Sequence, residues 1–218
     1  MNTEQALLSF AGTTAGAVRE ALSVLAPDEV EQRGTRVNST ASRALDGIDL
    51  PAVAVSASYA DGVDGGTLLL MPVAAATGLF AASAGGSPPA DGKPLSETEL
   101  EAIGEAMAGV MSAAASSAGV VLHRAVEVSP CETRLVMTEQ ELETFADEGQ
   151  ATSADFALFG AGCRFVHLVP PGFLALVQDA FDVDPTDDIS EPLRAAMLDV
   201  GVRVWAELGR ARMSSQGR

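Results

Sequence analysis

Residues 99–119, "ELEAIGEAMAGVMSAAASSAG", form the segment from which the architecture of this chain can be read. Large apolar side chains recur there at helical spacing, at Leu100, Ile103, Met107, Val110 and Met111, and this pattern predicts an amphipathic helix. Ser96 followed three residues later by Glu99 is a capping box that marks the start of the helix. The predicted solvent side carries two acids and then only small residues: Glu101, Glu105, Ala108, Ser112 and Ala115. This side is either an ordinary solvent-exposed helix surface or a functional surface that lacks one of its functional residues.

The elements around this helix occur twice along the chain. A helix over 4–26 precedes strands over 29–37, 52–58 and 67–71 and a helix from Pro72 to Ser83. The helix over 96–119 precedes a strand over 120–128, a short helix over 138–147, strands over 154–160 and 163–169, and a helix from Pro170 through Phe181. Met71-Pro72 returns as Val169-Pro170, ninety-eight residues later. The repeat predicts an α+β fold with pseudo-twofold symmetry, in which long helices cover one mixed sheet.

The domain boundaries follow from this repeat. We expect one domain over residues 1–183, with halves over 1–84 and 95–183 joined by the Gly/Pro-rich loop 84–94. Residues 184–191 are polar and are interpreted as a linker, and residues 192–218 begin a separate segment.

Composition and charge exclude several classes of function. The formal net charge is −17, with Lys93 as the only lysine, so the chain lacks the basic surface that nucleic acid requires. The acidic stretches 97–105, 139–148 and 179–191 are either solvated surface or a docking face for a basic partner. No apolar run is long enough to span a bilayer, and the first ten residues lack the basic region of a signal peptide. We therefore expect a soluble, cytoplasmic protein without membrane insertion.

The common catalytic and metal-binding motifs are missing from the sequence. Cys131 and Cys163 do not form a CxxC motif, and the sequence has no second pair of cysteines. We interpret them as buried thiols in a reducing compartment. His123 and His167 fall in predicted strands without neighbouring ligands, so we expect core or edge positions and no metal. The glycines of "DGVDGG", residues 61–66, lie between two strands and indicate a hairpin turn rather than a phosphate site. We expect no cofactor.

The duplicated architecture, together with "LSETELEAIGEAMAGVMSAAA", resembles the CheC/FliY/FliM superfamily of chemotaxis phosphatases and flagellar motor switch proteins. In the phosphatases, each long helix carries an acid or serine, a glutamate four residues later and an asparagine three further. Glu101 and Glu105 match the first two positions, and Ala108 stands where the asparagine belongs. In the first half the corresponding residues are Glu4, Leu8 and Ala11.

The missing amides bear directly on the predicted activity. Removal of phosphate from a receiver aspartate requires a water held in line with the phosphorus, and positioning is most of the catalysis. A side-chain amide can orient that water, whereas the alanines at positions 11 and 108 cannot. The resemblance therefore implies that the chain has no catalytic residue and that Glu101 and Glu105 are binding residues. The alternative is that both are ordinary solvated acids on the helix surface. A phosphatase that uses Glu105 with Ser112 on phosphorylated CheY remains the enzymatic alternative.

Two further segments resemble the motor switch branch. "LFAASAGGSPP" before "LSETELEAI" is similar to the helix, Gly-Gly loop and helix start of the FliM middle domain, in which the loop contacts the rotor protein FliG. The resemblance makes Gly85 and Gly86 binding residues, although Ser87-Pro88 departs from the family's Pro-Gly and a plain linker is the alternative. "LRAAMLDVGVRVWAELGRARM", residues 193–213, resembles the opening of the FliN/SpoA domain, with Trp205 as a binding residue.

The SpoA resemblance covers residues 192–213, and the family's domain continues for several more strands, whereas this sequence has five residues after Met213. We therefore expect a truncated SpoA β segment that is either loosely ordered or docked on a neighbouring chain. Together the resemblances imply a non-catalytic flagellar motor switch protein, located in the cytoplasm at the flagellar basal body. Its implied partners are rotor proteins of the FliG, FliM and FliN type, phosphorylated CheY, and further copies joined through the SpoA segment. A scaffold component of type III secretion is the remaining alternative.

Overall fold

The order helix, strand, short helix, strand, strand, helix occurs twice in the structure, a computed structural model that describes residues 1–60, 63–83, 95–146 and 149–182. The first half consists of α1 (Thr3–Leu25), β1 (Val30–Asn38), α2 (Ala41–Leu45), β2 (Ala52–Ser58), β3 (Gly66–Pro72) and α3 (Val73–Ser83). The second half consists of α4 (Glu97–Val121), β4 (Glu132–Val136), α5 (Glu139–Glu143), β5 (Gln150–Leu158), β6 (Ala161–Val169) and α6 (Pro171–Ala180).

The six strands form one sheet in the order β1-β5-β6-β3-β2-β4. Strands β1, β2 and β3 of the first half are equivalent to β4, β5 and β6 of the second half. Exchanging each strand with its equivalent gives the same order read from the opposite edge of the sheet. At the centre of the sheet, Leu68 of β3 pairs with Val166 of β6. Val166 lies ninety-eight residues after Leu68 and is the equivalent residue of the second half. The pseudo-twofold axis therefore passes between these two residues, and the predicted duplication is confirmed.

Alternation along the strands separates two apolar faces. In β2, Val53 and Val55 contact a core formed with α1, α3 and α4, whereas Ala54 contacts a smaller core formed with α2 and α5. A third cluster joins α1, α4 and α6 around Phe10 and Phe173. The long helices thus cover one face of the sheet, and the two short helices cover the other.

The helix starts show why these segments fold as they do. Asn2 with Gln5 caps α1, and Ser96 with Glu99 caps α4, each as a complete capping box. Thr40 and Thr138, again ninety-eight residues apart, accept the first backbone N–H bonds of α2 and α5. The same local chemistry begins equivalent helices in both halves.

Several predictions about individual elements are wrong. The strand predicted over 120–128 does not form, because α4 continues to Val121 and His123 follows it with φ of 52°; Val128 makes only an isolated bridge to Tyr59. The actual strand, β4, lies further along the chain. Helix α2 was not predicted from the sequence. The sheet, predicted to be mixed, has only antiparallel pairings. Ala115, placed on the solvent side of α4, is buried.

Candidate functional site

A groove of about 700 Å³ runs between the N-terminal half of α4 and the segment that leads into β4. One wall is formed by α4, and the other by Pro130, Cys131 and Thr133; the residues from α4 are Glu97, Leu100, Glu101, Gly104, Glu105 and Ala108. The capping box holds the start of α4 beside this groove, since the backbone N–H of Ser96 donates to Glu99 at 2.7 Å. The structure therefore brings together three of the predicted site positions: Glu101, Glu105 and Ala108.

The two predicted binding carboxylates are exposed on the groove wall. Glu101 and Glu105 lie one helical turn apart, and Ala108 follows them, also exposed. The methyl group of Ala108 has no polar atom, so this position can neither hold nor orient a water. The arrangement offers negative charge for a partner but no amide at the third position.

Exposed small residues continue from the groove along the two long helices. Ser112 on α4 is exposed, and Gly12 and Gly109 have open space where a Cβ would be. The hydroxyl of Ser117 donates to the carbonyl of Thr13 at 3.3 Å and ties α4 to α1. Another protein can approach the helix backbones closely over this surface.

The equivalent positions of the first half do not form a second site of this kind. Glu4 and Leu8 are exposed, but Ala11, predicted to occupy the amide position, is only 3 % exposed and belongs to the core side of α1. Unlike their counterparts in the second half, Glu4, Leu8 and Ala11 therefore do not share one exposed surface, and this is a difference between the halves. Its cause is the helix register, since Ala11 follows Phe10 and Leu7 into the apolar side of the helix.

The two walls of the groove meet in a close contact between α4 and β4. A Cβ placed on Gly104 would lie 2.5 Å from the hydroxyl oxygen of Thr133, so only glycine permits this approach. That hydroxyl oxygen is buried and has no hydrogen-bond partner among the described residues. Cys131 lies in the same wall, and partial burial raises the pKa of its thiol.

We expect Gly104→Ala to lower the free energy of unfolding by about 1–2 kcal/mol, because the new methyl group must displace Thr133 or the helix. Gly109→Ala, one and a half turns later on the same helix, is the matched control. Its methyl group meets no atom within 4 Å, so it should raise stability by about 1 kcal/mol through helix propensity. Urea unfolding followed by circular dichroism measures both changes. Equal effects of the two substitutions would contradict the close contact.

The remaining predicted residues divide into those that the structure describes and those outside its described range. Gly85, Gly86 and Trp205 lie outside the described residues, as do residues 184–218 with the proposed linker and SpoA segment. Cys163 is buried and free, and burial raises the pKa of its thiol to about 12. Cys131 is free but only half-buried, which differs from the predicted buried position.

The two histidines also differ from each other. His167 lies in β6 and is 1 % exposed, as a core position requires, whereas His123 is exposed in the turn after α4. The hydroxyl group of Tyr59 hydrogen-bonds to Nε2 of His167, and burial lowers the pKa of this imidazole to about 3. Within the described residues, no group of three or more His, Cys, Asp or Glu side chains is arranged to hold a metal ion.

Sequence reasoning missed the β4 wall of the groove. It placed the strand about ten residues too early and therefore gave Pro130, Cys131 and Thr133 no position beside α4. The alternation of Cys131, Thr133 and Leu135, all turned towards the α4 side, was the available signal.

In the described part of the chain, no helix has both the length and the apolar character that a membrane-spanning helix needs.

No family model and no curated protein matches the chain. Solved structures do. Thermotoga maritima FliY superposes with a TM-score of 0.64 at 18 % identity, over 83 % of this chain and 96 % of that one. A chain of the FliG–FliM complex from H. pylori gives 0.59 at 12 % identity, over 79 % and 97 %. A chain of the CheX–CheY–BeF3–Mg²⁺ complex from Borrelia burgdorferi gives 0.53 at 14 % identity, over 74 % and 97 %.

These likenesses extend over nearly the whole of each compared chain. At identities of 12–18 % they establish the fold, while the roles of individual residues rest on the groove itself. The chain thus has the fold of the CheC/FliY/FliM-like domain.

Proposed function

We propose that this chain is a non-catalytic component of the flagellar motor switch, whose α4 groove binds a phosphorylated receiver protein of the CheY type. The observation that carries the proposal is the exposed sequence Glu101, Glu105, Ala108 on α4: two carboxylates for a partner and no amide for a water. The fold supports it, since the same fold occurs in FliY, in a FliG–FliM complex and in a CheX–CheY complex.

The other contacts of the proposed assembly rest on sequence resemblance. Gly85 and Gly86 would contact a rotor protein of the FliG type. Residues 192–218, with Trp205, would join proteins of the FliM and FliN type and further copies of the chain. The place of such an assembly is the cytoplasmic base of the flagellum. No cofactor takes part in any of these contacts.

Binding of the activated receiver tests the role of the groove. We expect Glu101→Lys combined with Glu105→Lys to weaken binding of beryllofluoride-activated CheY about tenfold or more, since both carboxylates lie on the proposed contact surface. The matched control is Glu139→Lys with Glu143→Lys, two exposed acids on α5 at the same spacing, on the opposite face of the sheet. Titration calorimetry measures the affinities. Equal affinities of both double variants would contradict the assignment of the groove.

The second candidate function is that of a CheC-type phosphatase. It is favoured by the same exposed pair, because Glu105 occupies the position of the phosphatase glutamate and Ser112 lies exposed one turn beyond Ala108. The two candidates differ in one measurable respect. The phosphatase shortens the lifetime of phosphorylated CheY, whereas the binding module leaves it unchanged.

A further inference from the structure

Strand β1 has one backbone edge to which no strand among the described residues is paired. It forms one end of the six-stranded sheet, and β5 pairs with its inner side. Each of its nine residues is at least partly exposed. Such an edge presents free N–H and C=O groups, to which a further strand can hydrogen-bond. The charges and the register of β1 indicate which strand this is.

A β-bulge at Arg33 decides which side chains of β1 share a face of the sheet. The pairing with β5 shifts between Gln32 and Gly34, so Arg33 is an extra residue without a counterpart on β5. In a regular strand, residues five apart, such as Glu31 and Arg36, point to opposite faces. Their partners on β5 are four residues apart, so the bulge places both on the same face.

The bulge makes β1 complementary to a second copy of itself. In an antiparallel pair about a twofold axis at Gly34, Glu31 of each copy lies opposite Arg36 of the other copy. On the opposite face of the sheet, Val30 of each copy lies opposite Val37 of the other. The bulge residue stays outside this pairing, as it does on the β5 side. Two pairs of opposite charge and two apolar pairs therefore stabilise the antiparallel strands.

No other symmetric register of β1 pairs these charges. A shift by two positions in either direction places Glu31 or Arg36 opposite Gly34 and separates both charged pairs. The strand at the other end of the sheet, β4, has five residues against the nine of β1, so it offers a much shorter ladder. A second copy therefore fits best along β1.

The charges around β1 also favour this edge. A net charge of −17 makes copies of the chain repel one another. Arg33 and Arg36 of β1 and Arg43 of the adjoining α2 are exposed, and their positive charge offsets this repulsion. Arg36 bonds to Asp155 through one nitrogen, which leaves further N–H donors for a second carboxylate. Glu31 is exposed and makes no ion pair with a described residue.

We propose that two copies of this chain join through their β1 strands into one continuous sheet, with Glu31 of each copy paired to Arg36 of the other. The α4 groove borders β4, at the end of the sheet opposite to β1. Joining the β1 edges therefore leaves both grooves open, one at each end of the extended sheet. That such a dimer binds two receivers rests on the proposed function. The dimer itself does not, and it is measured on the chain alone.

Sedimentation velocity of the full chain over a range of concentrations measures the dimer. We expect a monomer–dimer equilibrium with a dissociation constant on the order of 10 μM, since an edge-to-edge strand pair is a small interface. Glu31→Arg and Arg36→Glu each place like charges opposite one another and should raise this constant about tenfold or more. An equimolar mixture of the two variants should dimerise again, because each chain then presents the charges that the other lacks.

The matched control for these substitutions is Glu132→Arg, which makes the same change at an exposed position of β4 and should leave the dissociation constant unchanged. Circular dichroism shows whether each variant is folded. A natural chain that stays monomeric up to about 500 μM, far above the expected constant, overturns the proposal. Self-association that Glu31→Arg leaves unchanged, or that Glu132→Arg abolishes, also overturns it.

A cross-link identifies the register. Gly34 has open space where a Cβ would be. Facing Cα atoms of an antiparallel pair lie about 4.5–5.5 Å apart, within the range that a disulfide bridges. In a Cys131→Ser background, we expect Gly34→Cys to form a disulfide-linked dimer under mild oxidation. Gly109→Cys, equally open on α4, should not. Failure of Gly34→Cys to cross-link, or of the mixed charge variants to dimerise, overturns the pairing.

Discussion

Replacement of Phe10 by alanine is expected to lower the free energy of unfolding by about 3–5 kcal/mol. Phe10 is fully buried, and its ring meets the edges of two others, at centroid distances of 4.7 Å from His167 and 5.4 Å from Phe173. Removal of the ring leaves a cavity that the surrounding side chains, held in place by the sheet and by α6, fill only in part. Few other single substitutions should cost as much.

The size of this effect follows from where Phe10 lies. It belongs to α1 in the first half, while His167 and Phe173 belong to β6 and α6 in the second half. Tyr59 of the first half stacks on Phe173 at 5.6 Å and completes the cluster. Loss of Phe10 therefore weakens the contact between the two halves of the duplication.

Urea unfolding, followed by circular dichroism, measures the loss. Leu8→Ala is the control, because Leu8 lies on the same helix but is 37 % exposed, and substitutions at such positions cost about 0.5 kcal/mol. A loss below about 1 kcal/mol for Phe10→Ala would contradict the packing of α1 on the second half.

Acidification is expected to destabilise the protein through His167, by about 2 kcal/mol between pH 6.5 and pH 4.5. Burial lowers the pKa of His167 to about 3 in the folded chain, whereas a histidine in an unfolded chain has a pKa of about 6.5. Between these values the unfolded chain binds a proton that the folded chain does not. The free energy of unfolding therefore falls as the pH drops below 6.5, and above pH 6.5 the histidine contributes no such loss.

The carboxylates of the chain titrate in part of the same range, so the natural chain must be compared with His167→Gln. This variant does not titrate and retains an amide that can hydrogen-bond to the hydroxyl group of Tyr59. The difference in unfolding free energy between the two proteins, measured from pH 7.5 to pH 4.5, isolates the contribution of the imidazole. Curves that stay parallel over this range would show that His167 takes up a proton in the folded chain.

The long helices and the repeat were predictable from the sequence because their signals are local. The capping box of Ser96 and Glu99 and the apolar spacing along α4 lie within one segment and need no information from elsewhere in the chain. β4 was not predictable in this way. Its apolar pattern is short, and the valines of 120–128 offered a better local match to a strand than Glu132–Val136.

The same distinction applies to the candidate site. The exposed face of Glu101, Glu105 and Ala108 follows from helical periodicity, and the structure agrees with it. The opposite wall depends on how β4 pairs with β2, which no local pattern encodes. The burial of Ala11 depends on a rotation of α1 by a fraction of a turn, because a small residue beside an apolar stripe can lie on either side of its edge.

The central claim is that the α4 surface binds a phosphorylated receiver without accelerating the loss of its phosphate. Three variants bear on it: Ala108→Asn, which restores the amide of the phosphatase pattern; Ser116→Asn, which places the same amide at another exposed position about two turns later on the helix; and Glu105→Gln, which neutralises the glutamate. An amide at position 108 can orient a water beside Glu105, whereas an amide at position 116 lies about 12 Å further along the helix.

The most direct measurement is the rate at which phosphorylated CheY loses its aspartyl phosphate, with and without the purified chain. We predict the same rate in the absence and in the presence of the natural chain and of Ser116→Asn, and a rate about tenfold or more higher with Ala108→Asn. Acceleration by the natural chain that is lost in Glu105→Gln would contradict the account and establish the chain as a phosphatase.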